Sequence, residues 1–64
     1  MYSIGGPDGP VYFYTDANGY IVRVGGQRLD VNGSPLIITP DPPLGPIDSV
    51  DFGSLYRTII ALVG

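Results

Sequence analysis

Apolar and polar residues alternate along the first two thirds of the chain, and glycine interrupts the alternation at short intervals. Val11-Tyr12-Phe13-Tyr14-Thr15 is a run of strand-forming residues. Asp16-Ala17-Asn18-Gly19 then reads as a type I turn ending on a glycine suited to positive φ. Tyr20-Ile21-Val22-Arg23-Val24 predicts a second strand, Gly25-Gly26 a two-residue hairpin loop, and Gln27-Arg28-Leu29-Asp30-Val31 a third strand. Asn32-Gly33 is a strong hairpin signal and leads into a fourth strand, Ser34 to Thr39. The segment from Pro40 to Pro46 carries prolines at 40, 42, 43 and 46 and is excluded as a central strand.

Loop length sets register. A two-residue loop at Gly25-Gly26 pairs Val24 with Gln27, Val22 with Leu29 and Tyr20 with Val31. A two-residue loop at Asn32-Gly33 pairs Val31 with Ser34 and Leu29 with Leu36. One sheet face then gathers Tyr20, Val22, Val24, Leu29, Val31, Leu36 and Ile38, while Ile21, Arg23, Arg28, Asp30 and Ile37 take the other. Pro35 places the fourth strand at an edge. The first hairpin has two readings. A four-residue loop turns Val11 and Phe13 to the core, and a three-residue loop with a glycine bulge turns Tyr12 and Tyr14 there instead.

The C-terminal segment fits two periods. Phe52, Leu55, Tyr56, Ile59, Ile60 and Val63 follow helical spacing, with Asp51 as N-cap. Tyr56-Arg57-Thr58-Ile59-Ile60 is equally rich in strand formers. The segment is short and its helix propensity middling, which tips the reading towards a strand, with a short helix as the alternative. The fold class expected is all-β: a small antiparallel meander of about four to five short strands in one domain, 1–64. Within it, 1–10 is an N-terminal arm, 11–39 a three-hairpin meander, 40–46 a proline-rich arm, and 47–64 a C-terminal strand or helix.

Composition narrows the chemistry. Lys, Glu, His, Cys and Trp are all absent from the 64 residues. The chain therefore has no disulfide, no thiolate or imidazole metal ligand, no histidine base and no lysine nucleophile. Asp48 and Asp51, or the Asp16 turn, could offer oxygen to a hard cation, but turn and capping roles account for them. Neither Gly5-Gly6 nor Gly25-Gly26 has the strand, helix and lysine context of a phosphate loop. A catalytic role, a cofactor and a small-molecule substrate are not expected.

Six Asp against three Arg give a net charge of −3, without the basic footprint of a nucleic-acid binder. The longest apolar run, Ile59 to Val63, is far below the ~20 residues of a membrane span. Neither a targeting segment nor a membrane association is expected, and a soluble product is. Charged residues make up 14% of the chain, too few for an isolated small surface, so much of that surface is expected to be covered.

A domain of this size buries little and has no cross-links, which leaves oligomerisation or assembly as its support. The function expected is therefore a non-enzymatic structural subunit of a larger assembly, a minor capsid or decoration (cement) protein of a virus or bacteriophage particle. Its location would be the virion, or otherwise the cytoplasm. A small regulatory or inhibitory protein acting on one partner is the alternative, and a fibre or tail-tip oligomer module a third. The partner interface is expected to draw on Tyr12, Tyr14 and Tyr56, on Arg23 and Arg28 set opposite each other with Asp30 diagonal, and on the arm residues Pro40, Pro42 and Pro43. Those prolines also show P-x-x-P spacing, which reads as a stiff extended arm laid on a neighbour.

Overall fold

The computed structural model describes all the residues, Met1–Gly64. Four strands, β1 (Tyr2–Ile4), β2 (Val11–Thr15), β3 (Ile21–Leu29) and β4 (Pro35–Ile38), form one antiparallel sheet in the order β1-β2-β3-β4. A single helix, α1 (Phe52–Val63), follows and packs mainly on β3. The architecture is thus α+β, and the expected all-β class is corrected by the C-terminal segment.

The helix wins over the strand for two reasons. Asp51 is extended at φ −83° and ψ 118°, and its Oδ2 accepts hydrogen bonds from the Ser54 amide at 3.1 Å and the Ser54 hydroxyl at 2.8 Å. That satisfies a donor the first helical turn would otherwise leave open. The sheet also has an apolar inner face that needs cover. Val11, Phe13, Ile21 and Val24 meet Leu55, Tyr56, Ile59 and Val63, and these eight residues form the core. Full burial of such side chains contributes about 1.5–3 kcal/mol each, which outweighs the weak local preference of the segment.

β3 runs straight through Gly25-Gly26, so the hairpin expected there does not form. These glycines serve close approach. A Cβ on Gly25 would lie 2.5 Å from Tyr12 Cε2, and one on Gly26 would lie 2.9 Å from the Val63 carbonyl oxygen. The register is corrected accordingly. Phe13 pairs with Val24, Tyr12 with Gly25 and Tyr14 with Arg23. On the other side Val24 pairs with Ile38, Gly25 with Ile37 and Leu29 with Pro35. Between the last two pairs Gly26, Gln27 and Arg28 together face Leu36, a bulge that preserves the facing of the strand.

The first hairpin joins both of its alternatives. Its loop is the short one, closed by the Asp16 amide on the Tyr20 carbonyl and by Gly19 at φ +83°. Thr15 then pairs with Ile21 but Tyr14 with Arg23, leaving Val22 as an extra residue. That bulge turns Val11 and Phe13 inward, and Tyr12 and Tyr14 outward. Of the seven residues expected on the inner face, Val24 is in the core and Leu36 and Ile38 pack against it. Tyr20, Leu29 and Val31 are exposed, while Ile21, expected outside, is fully buried.

Both expected arms fold back. Residues 1–10 supply β1, where the Tyr2 ring stacks on Phe13 at 5.1 Å. The loop after it is pinned by Tyr56, whose hydroxyl donates to the Gly9 carbonyl at 2.7 Å and accepts from the Asp8 amide at 2.9 Å. The proline-rich segment returns along β3: the Leu44 amide donates to the Ile21 carbonyl, and the Ile21 amide to the Gly45 carbonyl. It therefore continues the β3 edge that β4 leaves uncovered and does not project as an arm.

Candidate protein-docking face

With α1 on one side, the sheet's second face has no cover from the chain itself. Strand alternation sends Ser3, Tyr12, Tyr14, Arg23, Pro35 and Ile37 to that face. The centre of the patch is at Gly25. Tyr12 leans over it from β2, and Ile37 Cδ1 reaches 2.9 Å from the position a Cβ would take there, from β4. A glycine in the middle strand thus lets two large side chains from the flanking strands converge. Tyr12 and Tyr14 are half-buried, Arg23 is exposed and Ile37 is 41% exposed. Leu29, 57% exposed, extends the apolar surface towards the β3–β4 turn.

Tyrosine and arginine next to aliphatic surface is the composition of protein-binding surfaces. The rings offer area with few torsions to freeze, and the guanidinium offers a forked set of donors for a carboxylate. Arg23 is one of three cations in an acidic chain. A partner with an apolar patch and an acidic rim matches this face.

The structure brings together Tyr12, Tyr14 and Arg23 among the expected interface residues, and it separates the others. Arg23 and Arg28 lie on the same continuous strand, Arg28 within the bulge before Leu29, so they do not face each other across a hairpin and the two-arginine clasp is not formed. Asp30 does not compensate Arg23. Its Oδ1 accepts from the Asn32 amide at 2.8 Å and the Ser34 amide at 3.0 Å, holding the β3–β4 turn. Tyr56 is inside the chain's own core at 7% exposure. Pro40 is half-buried, whereas Pro42 and Pro43 are exposed on the loop that leads back to β3.

A cleft of about 480 Å³ lies between the Gly5-Gly6-Pro7 loop and the start of α1. Its charged lining residues are Asp8 and Arg57, and Tyr56 closes its floor with its hydroxyl already hydrogen bonded. No cluster of three or more carboxylates is available to hold a metal ion. No helix is long and apolar enough to cross a membrane.

Sequence reading missed the roles of Ile37 and Gly25 on this face. No local signal marks them, because the approach of Tyr12 and Ile37 to Gly25 depends on the strand register. No family model, curated protein or solved structure matches the chain.

Proposed function

We propose that the chain is a non-enzymatic subunit of a larger protein assembly, held there by docking its uncovered sheet face on a neighbouring subunit. The form of assembly proposed is a virus or bacteriophage particle, with this chain as a small decoration or cement protein. The observation that carries the docking reading is the convergence of Tyr12 and Ile37 over Gly25 beside Tyr14 and Arg23, on a face the helix does not cover. The virion setting adds to it the analogy of a small, weakly charged, glycine- and proline-punctuated chain. One feature favours a second reading, a regulatory protein acting on a single partner. The inner core is complete without a partner, with Val11, Phe13, Ile21, Val24, Ile59 and Val63 at 0–1% exposure.

The test is the double variant Tyr14→Ser, Arg23→Ser, with Arg57→Ser as a control on the helix. The double variant is expected to keep its far-UV spectrum and to lose co-sedimentation with the native assembly, while the control retains it. Retained co-sedimentation of the double variant would remove the face from the account. A stoichiometry of one chain per partner, without a lattice, would select the regulatory reading.

A further inference from the structure

The chain contains the same turn twice. Asp16-Ala17-Asn18-Gly19-Tyr20 and Asp30-Val31-Asn32-Gly33-Ser34 share the pattern Asp-x-Asn-Gly. In the first, Asp16 Oδ1 accepts from the amides of Asn18 and Tyr20, both at 2.9 Å. In the second, Asp30 Oδ1 accepts from the amides of Asn32 and Ser34. Gly19 donates to the Asp16 carbonyl at 3.1 Å and Gly33 to the Asp30 carbonyl at 3.1 Å. The two glycines have φ of +83° and +82°. Each turn is therefore fixed by its own hydrogen bonds and is preorganised for whatever meets it.

Their surroundings differ. The first turn is seated. The Ile47 amide donates to the Gly19 carbonyl at 2.8 Å, and Pro46 forms a bridge with Tyr20. Ile47 Cγ2 stands 3.5 Å from the Cβ position of Gly19. The second turn is bare: nothing lies within 4 Å of the Cβ position of Gly33. Val31 replaces Ala17 and is fully exposed, so it makes no packing contribution to its own chain.

We infer that the Asp30–Ser34 turn is a second docking element, which receives from another protein what Pro46-Ile47 gives the first turn. The occupant is an extended segment with a proline followed by an aliphatic residue. Its aliphatic residue's amide donates to the Gly33 carbonyl, and its side chain lies over Gly33. Val31 adds an apolar anchor that Ala17 does not provide. The match extends one residue further. The first seat uses both the amide and the carbonyl of Ile21. The corresponding residue of the second is Pro35, which offers a carbonyl and no amide. The guest there needs a donor but no acceptor, and a full strand addition along β4 is disfavoured. This chain's own 44–47 segment is already committed to the first turn, so the guest belongs to a different polypeptide. The proposal rests on the protein-docking reading above and names a partner for it.

The probe is a capped hexapeptide with the sequence of residues 43–48, Pro-Leu-Gly-Pro-Ile-Asp, titrated at millimolar concentration into the ¹⁵N-labelled full chain. Saturable amide shifts are expected at Gly33, Ser34 and Val31, with none at Gly19, whose seat is occupied. Val31→Ala, which removes no internal contact, is expected to weaken binding about five- to tenfold with an unchanged melting temperature. Absence of saturable shifts, shifts centred on Tyr12 and Tyr14, or a Val31→Ala chain that binds equally well would overturn the inference. The titration reads the turn alone. The broader docking reading is tested through Tyr14 and Arg23, so a failure at the turn and a failure at the sheet face are told apart.

Discussion

Gly26→Ala probes the joint between the sheet and the helix. Gly26 has a negative φ, so the backbone accepts alanine, and the restriction of the unfolded chain alone would add about 0.4–1 kcal/mol of stability. The new methyl, however, would sit 2.9 Å from the Val63 carbonyl oxygen, 3.1 Å from Val63 Cγ2 and 3.3 Å from the Val63 carbonyl carbon. Two of these are backbone atoms of the last helical turn, which cannot rotate away. The turn is also held, because Val63 is buried and the Gly64 amide donates to the Ile60 carbonyl at 2.8 Å. Overpacking of this kind costs about 1–3 kcal/mol, and the mid-range value of about 2 kcal/mol leaves a net loss of about 1–1.6 kcal/mol. For a chain of this size that corresponds to a melting temperature lower by about 4–13 °C. The assay is thermal unfolding followed by circular dichroism, with amide exchange to place the damage. Faster exchange is expected at Leu62, Val63 and Gly64, and unchanged exchange in β1 and β2. An unaltered or raised melting temperature, with the helix end still protected, would refute the claim that Gly26 is glycine because α1 closes on it.

Other perturbations address other joints. Tyr56→Phe deletes the hydroxyl that ties Asp8 and Gly9 to the helix, and is expected to cost about 1–3 kcal/mol and to speed amide exchange in residues 5–10. Gly33→Ala places a side chain at φ +82° and is expected to destabilise by about 1 kcal/mol, whereas Gly5→Ala meets no atom within 4 Å and is expected to be neutral or slightly stabilising in the same unfolding assay. The hydrogen bonds from Ser54, first the hydroxyl and then the amide, hold the Asp51 carboxyl below its ordinary value of 3.8. Its contribution is therefore present above the unfolded pKa and fades as pH falls through the lower folded one, so melting curves at pH 6 and pH 3 should differ more for the native chain than for Asp51→Asn. An equal pH dependence in the two would remove Asp51 as an acid-sensitive cap.

β2, β4 and the two Asp-x-Asn-Gly turns could be read from the sequence because their signals are local, whereas β1 was expected as part of an arm and β3 as two strands. Asp16-Ala17-Asn18-Gly19 and Asn32-Gly33 turn where their chemistry requires, and Val11 to Thr15 forms a strand to the residue. What misled was glycine, whose two uses look alike in one dimension. Gly25-Gly26 has the composition of a hairpin loop, yet each residue is there for a contact made by something distant, Tyr12 in one case and Val63 in the other. Reading them as a loop shifted every later pairing and put Arg28 across from Arg23. The bulge at Val22 was also beyond local reading, because it resolves a conflict between loop length and the burial of Phe13. The helix was legible in the Asp51 cap and the Leu55, Tyr56, Ile59 and Val63 spacing. The deciding factor was tertiary: an inner sheet face with no other cover. For the site, Tyr12, Tyr14 and Arg23 were visible by residue type. The cooperation of Gly25 and Ile37 depended on the register, and so became visible with the fold.

Hydroxyl-radical footprinting of the chain, first free and then within the complex recovered from its native source, puts the docking face to the most direct trial. Tyr12 and Tyr14 should label readily in the free chain and become protected in the complex, while Phe52, exposed on the helix side, labels equally in both. A chain recovered from that source as a free 6.8 kDa monomer, or a complex in which Tyr12 and Tyr14 stay as reactive as in isolation, would contradict it.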